Sequence, residues 1–205
     1  METHLTSAVL SLIEPMPFIY FVYVTFACWV GFVVYWVMSS IDVKETAEMQ
    51  SPLQRVIVLG FMVVGFVLLG YVHLPAPLSN RILAPGYLVG ILAIISSACG
   101  LALCIWARRT LGRNWSAQVT FKKGHELITA GPYAYVRHPI YTGFGLLFLG
   151  SALVVGTIGG FLGLLVIMIG FIYKYKAEER LMLTHFPEQY PGYKAKVKAL
   201  IPYVF

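Results

Sequence analysis

No Asp, Glu, Lys or Arg occurs between residues 139 and 173. One continuous helix of that length would run roughly 50 Å, far beyond the ~30 Å hydrocarbon core of a bilayer. Gly156, Gly159 and Gly160 interrupt the run near its middle. The run is therefore predicted to fold back as a tight helical hairpin, about 140–155 and 159–175. Both arms are short for full spans and are expected to start in the headgroup layer or in locally thinned lipid. The fold-back brings the two outer ends of the run, at Tyr141 and Glu178, to the same side of the membrane.

Three earlier uncharged stretches, 17–38, 56–74 and 86–107, are each long enough to cross a bilayer. The expected fold is thus an all-α integral membrane protein. It has about five transmembrane helices, a C-terminal helical hairpin and a cytoplasmic cofactor pocket. Composition agrees: 59% of the 205 residues are hydrophobic and 12% are charged, against about 25% charged in soluble domains. The first 16 residues carry Glu2 and Glu14 and lack a basic leader, so the first apolar run is expected to be a retained span rather than a cleaved signal. The chain divides into an N-terminal three-helix membrane region, 1–107, and a catalytic region, 108–205. The second holds the two sizeable polar segments, which flank the hairpin. Small residues four apart, such as Gly86/Gly90, Ser96/Gly100, Gly156/Gly160 and Gly159/Gly163, suit close helix packing in lipid.

With five helices, 14 of the 15 Lys and Arg fall on the side of the C-terminus, and only Arg81 falls opposite. The positive-inside rule then makes that side cytoplasmic. The net charge of +6 lies beside the spans, where attraction to anionic lipid headgroups accounts for it. No aromatic-basic RNA motif accompanies it, and no nucleic-acid partner is expected. Cys28, Cys99 and Cys104 lie in apolar runs without a CxxC pair and read as small buried hydrophobes. There is no HExxH, no His/Cys/Asp cluster at metal spacing, no GxGxxG after a strand, no GxSxG and no P-loop. Neither a metal nor a soluble Rossmann domain is expected.

Chemistry concentrates just before and just after the hairpin. Pro139 fits the first turn of a helix, so His138 stands at the helix entrance with Arg137 before it. The free N–H groups of that first turn favour an anion such as a carboxylate. Tyr133, Tyr135 and Tyr141 crowd the same entrance. At the hairpin exit, Lys174 and Glu178 are spaced i,i+4 and share a helix face, with Glu179 beside them. As an exposed ion pair they would contribute only about 0.3–0.5 kcal/mol. A fold-back sets Glu178 near His138, and a carboxylate among His, Arg and Tyr in a half-wet site points to ligand binding. Gln118 and His125 sit in the loop before the hairpin.

The block Gln118…His125-Glu-Leu-Ile-Thr-Ala-Gly-Pro-Tyr133-Ala-Tyr-Val-Arg137-His138-Pro139-Ile-Tyr141-Thr-Gly143 resembles the isoprenylcysteine carboxyl methyltransferase family. So does the closing block Glu178-Glu179…His185-Phe186-Pro-Glu-Gln-Tyr190-Pro-Gly-Tyr193…Ile201-Pro202. The resemblance covers about the last 95 residues, with a hairpin of the right length between two motifs in the right order. The family's wider relatives include phospholipid N-methyltransferases and small-thiol methyltransferases. The resemblance implies S-adenosylmethionine as methyl donor, bound at the cytoplasmic mouth and released as S-adenosylhomocysteine. It implies donor contacts from Gln118, His125, Glu126, Leu127, Ile128, Tyr133, His138, Pro139, Ile140, Tyr141 and Glu178. Lys174, Glu178, Glu179 and Arg137 are then the candidate catalytic groups. Lys174 stands where the prenylcysteine enzymes carry an arginine that meets the substrate carboxylate. Lysine keeps the charge and loses the planar two-pronged grip.

The implied reaction is methyl transfer to a lipophilic acceptor at the membrane interface. A prenylcysteine carboxylate is the first reading, with phospholipid amine and small thiol as alternatives. A carboxylate or thiolate needs no strong base, whereas an amine must lose a proton, with Glu178, Glu179 or a tyrosinate assisting. From another class, sterol-type reductases using NADPH share a similar C-terminal region. A non-enzymatic scaffold or transporter is disfavoured because the spans hold no charge. The sequence carries no signal for oligomeric state.

Overall fold

A computed structural model of the chain describes residues 17–39, 46–49, 52–70, 74–112, 115, 120–122 and 127–205. Its elements, in chain order, are α1 (Ile19–Ser39), β1 (Thr46–Met49), α2 (Pro52–Gly70), α3 (Tyr87–Leu111), β2 (Thr120–Lys122), a 3₁₀ turn (Gly131–Ala134), α4 (Pro139–Val155), α5 (Ile158–His185) and α6 (Tyr190–Lys196). The body is all-α. Helices α1, α2, α3 and α5 are long and apolar enough to cross a membrane, and α4 is a shorter apolar helix. At 17 residues α4 is only about 26 Å long, as a short hairpin arm requires. The all-α expectation omitted one feature: β1 and β2 pair antiparallel, tying the α1–α2 connection to the segment before the 3₁₀ turn.

The hairpin forms where its glycines placed it. Gly156 closes α4 in the left-handed conformation, at φ 67°, which costs a residue without Cβ nothing. Thr157 then caps α5, its Oγ1 accepting from the Gly160 amide at 3.1 Å, the role of a hydroxyl at a helix start. The second arm is longer than expected. It does not stop near residue 175 but continues to His185, for 28 residues and about 42 Å. The continuation is rich in Lys, Glu, Arg, Leu and Met, all good helix formers, so the charges end the membrane run without ending the helix.

The α2–α3 connection seals the hairpin tip. The Ile82 and Leu83 amides donate to the Gly156 carbonyl at 2.8 and 3.1 Å, and the Ile158 and Gly159 amides donate to Asn80 and Leu78. Arg81 pairs with Thr157 in an isolated bridge, so this cation stands at the hairpin tip.

Helix α3 packs along α4 and α2 along α5. Both crossings depend on missing side chains. A Cβ on Gly100 would lie 2.6 Å from the Gly143 carbonyl oxygen, and one on Gly163 would lie 2.6 Å from that of Gly65. Backbones approach this closely in lipid, where packing rather than the hydrophobic effect holds helices together. Gly86, by contrast, faces open space and contributes no such contact. Around α4 the filling is aromatic. The Trp29 and Phe148 rings lie 4.7 Å apart and those of Phe32 and Phe144 4.9 Å, while Trp29 Nε1 donates to Ser151 Oγ at 2.9 Å. Arg108, in the last turn of α3, is buried at 4% exposure. It donates to the carbonyls of Gly112 and Ser39 and stacks on Trp115, locking the ends of α1 and α3 together.

Candidate active site

The start of α4 is held by the chain's last segment. The Arg137 amide donates to the Lys198 carbonyl at 2.8 Å and the His138 amide to that of Ala199 at 3.0 Å. Thr142 Oγ1 donates to the Leu200 carbonyl at 2.7 Å. Between them, α6 leans on the 3₁₀ turn through the Tyr193 hydroxyl, which donates to the Tyr133 carbonyl at 2.6 Å. Burial pushes the Tyr193 phenol up to about 12, although nearby Arg137 opposes the rise. It therefore stays a donor. His138 occupies the position before the helix and Pro139 the first turn, as their sequence predicts.

The fold-back sets His138 between two carboxylates that are neighbours on α5. Its Nδ1 lies 3.7 Å from Glu178 Oε2, and its Nε2 donates to Glu179 Oε1 at 3.2 Å. Tyr175, one turn before the pair, stacks on the imidazole at 4.7 Å between ring centroids. Successive residues of a helix point about 100° apart, so the two carboxylates serve different surroundings.

Glu179 is enclosed. Its side chain is 5% exposed and receives Arg137 Nε at 2.8 Å, Arg137 Nη2 at 2.6 Å and Lys194 Nζ at 2.7 Å, besides His138. Arg137 also donates to the carbonyls of Lys194 and Val197. Three cationic or donor side chains on one buried carboxylate satisfy it and tie α4, α5 and α6 into one body.

Glu178 is more open, with its side chain 25% exposed. The Tyr141 hydroxyl donates to its Oε1 at 2.5 Å, a distance typical of a charge-assisted bond. Burial, and then the Glu178 charge, hold the Tyr133 phenol well above its ordinary pKa. Tyr133 therefore stays protonated at neutral pH. Lys174 Nζ lies 5.7 Å above the Tyr141 ring, a cation–π distance.

The structure thus brings together His138, Tyr141, Glu178 and Lys174 on one face, with Tyr133 electrostatically coupled to Glu178. It gathers Arg137 and Glu179 on the other. Pro139 is fully buried and packs rather than presenting a surface. The Ile140 carbonyl is approached by Cys104 Sγ at 3.6 Å. Leu127 and Ile128 are half-buried just before the 3₁₀ turn. Gln118, His125 and Glu126 lie outside the described residues. Three contributors escaped the sequence reading. Tyr175 had a usable signal, an aromatic one turn before the two glutamates. Lys194 and Thr142 had none, because their partners are 15 and 58 residues away.

Glu178 keeps an oxygen for a ribose hydroxyl or an ammonium group, and aromatic faces stand beside it, which fits an adenosine-bearing sulfonium. Residues 88–189 match the family model described as phospholipid methyltransferase. Curated relatives agree. The protein named Protein-S-isoprenylcysteine O-methyltransferase from Schizosaccharomyces pombe is 36% identical over 96 residues, covering 45% of this chain and 41% of that protein. Its namesake from Rattus norvegicus is 30% identical over 118 residues, 53% of this chain and 42% of that one. The Saccharomyces cerevisiae namesake is 31% identical over 101 residues, 48% and 42%. The chain spans about two fifths of the length of these relatives. The family match begins inside α3 and takes in the whole hairpin and both carboxylates. Residues 88–189 of this integral membrane protein thus match the phospholipid methyltransferase family model, and the chain is similar there to the S-isoprenylcysteine O-methyltransferases.

Proposed function

We propose that this chain is a membrane methyltransferase that uses S-adenosylmethionine and methylates a lipophilic acceptor at the bilayer surface. Its catalytic region is 108–205, and 1–107 is the three-helix membrane region around it. The observation that carries the reading is the His138–Glu178–Tyr141 group at the hairpin mouth, within the segment shared with methyltransferases.

The bound donor supplies an electrophilic methyl group on a positively charged sulfur. Glu178 accepts from its hydroxyl or ammonium groups, and the Tyr141 hydroxyl orients that carboxylate. The rings of Tyr141 and Tyr133 would offer π faces to the donor's cation. Further donor contacts are assigned to Leu127 and Ile128 and, outside the described residues, to Gln118, His125 and Glu126, with Ile140 and the buried Pro139 setting the shape of the entrance. Arg137 and Glu179 act as positioning residues: joined to each other, they hold His138 at its angle. Lys174 meets the acceptor's anion. Placing the acceptor oxygen about 3–3.5 Å from the methyl carbon provides much of the rate. A carboxylate acceptor then needs no base. The relatives' printed names favour this O-methyl acceptor, an S-isoprenylcysteine. A phospholipid amine is the second reading, favoured by the description of the matching family model. The mouth faces the cytoplasm by the distribution of Lys and Arg.

The deciding experiment incubates the protein with trideuteromethyl donor and membranes, then subjects lipids and peptides to mass spectrometry. A label on a base-labile ester is expected. A label on a phospholipid amine selects the second reading. Absence of transfer, together with binding of NADPH but not of radiolabelled donor, overturns the proposal in favour of a reductase.

A further inference from the structure

A second charged face lies on the water-side turns of α5, and its Lys176 and Arg180 take no part in the proposed transfer chemistry. An open groove of about 420 Å³ is lined there by Arg137, Lys176, Arg180 and Lys194, with Tyr175 and Leu183 as its apolar members. Glu179 also lines it, but that carboxylate is occupied by Arg137, His138 and Lys194. Four cations against one carboxylate leave an excess of three positive charges. Lys176 and Arg180 are exposed and stand one turn apart on α5, where like charges repel. Among the described residues, neither has a carboxylate partner. An anion between them would relieve that repulsion.

Height selects the anion. Helix α5 is about 42 Å long. If Ile158, at the hairpin tip, begins the hydrocarbon, about 30 Å of helix reaches residues 177–178. The charged groove residues of α5, Lys176, Glu179 and Arg180, therefore fall at or in the headgroup layer, some 5–8 Å thick. Anionic headgroups are concentrated there, and basic pockets at that level recruit them. Tyr175 and Leu183 offer apolar contact to a glycerol backbone, which a free anion would not need.

We propose that this groove binds the phosphate of an anionic membrane phospholipid between Lys176 and Arg180, separately from the methyl-transfer site. The binding does not depend on the methyltransferase reading. It is tested on the full chain in phosphatidylcholine nanodiscs containing phosphatidylglycerol, with retained lipid read by native mass spectrometry. Wild type is expected to retain phosphatidylglycerol selectively. The double variant Lys176→Gln/Arg180→Gln is expected to lose that selectivity about twentyfold, and each single variant about fivefold. Lys196→Gln/Lys198→Gln removes the same charge from the same side but outside the groove, and is expected to change retention less than about twofold. Equal retention by wild type and the groove variants, or equal losses in the two double variants, overturns the proposal. Displacement of the lipid by millimolar inorganic phosphate also overturns it, assigning the groove to a soluble anion. If the double variant fails to fold, the single variants decide by the same criteria.

Discussion

Glu178 and Glu179 are adjacent in sequence and on the same helix, yet their surroundings are opposite. On the Glu179 side every oxygen is taken, by Arg137, His138 and Lys194, and the carboxylate is all but closed to water. On the Glu178 side the Tyr141 phenol donates, and a quarter of the side chain is open. A saturated buried carboxylate can do little except hold the fold together. A partly satisfied one at a rim retains capacity for a ligand. His138 touches both, so the ring that faces the ligand side is fixed from the structural side.

The contrast is most directly broken by removing a partner from the closed side. Arg137→Ala strands the Glu179 charge and is expected to cost about 3–5 kcal/mol of stability, measured by reversible unfolding in mixed micelles. Glu178→Ala is expected to cost less than about 1.5 kcal/mol, the usual worth of one hydrogen bond. Similar losses in the two would erase the distinction. Donor affinity sharpens it from the other direction. His138→Ala and Glu178→Ala are each expected to weaken donor binding at least about tenfold by isothermal titration, the loss of one charge-assisted hydrogen bond. Exposed Glu188→Ala serves as the unaffected reference. Unchanged affinity in both site variants refutes the assignment.

Lys174→Glu separates acceptor from donor. The acceptor KM is expected to rise about tenfold while donor Kd moves less than about threefold, because one ion pair to the acceptor reverses sign. Parallel losses would deny Lys174 its acceptor role. The smallest effect belongs to Tyr141→Phe. It removes the hydroxyl at 2.5 Å from Glu178 but leaves the ring, so donor affinity is expected to fall only about three- to fivefold. A loss as large as that of Glu178→Ala would mean that the phenol itself meets the donor.

Much of this arrangement was legible in the chain because two strong signals agreed. A charge-free run too long for one crossing, with glycines in its middle, demands a fold-back. That fold-back forces His138 and Glu178 together whatever the details. Burial of Glu179 was not legible, since its decisive partner Lys194 lies on a short helix whose docking depends on backbone pairing between residues 136–138 and 198–199. Nothing in the local pattern of 190–196 announces that pairing. The water-side extension of α5 was hidden because charge ends a membrane reading while helix propensity continues. The burial of Arg108 was hidden for the reverse reason: a basic residue in a last helical turn normally reaches for water, whereas here carbonyls and a Trp ring receive it. The β1–β2 ribbon, of four and three residues, is too short to leave a period in the sequence.

The pairing of Lys198, Ala199 and Leu200 with the start of α4 also has a consequence for biosynthesis. During translation α1 to α5 leave the ribosome, and α4 and α5 can already lie side by side, before these residues emerge. The nascent protein therefore passes through a stage with an inserted helical bundle but without the last brace behind Arg137 and His138. Competence is acquired only when that brace is threaded into place.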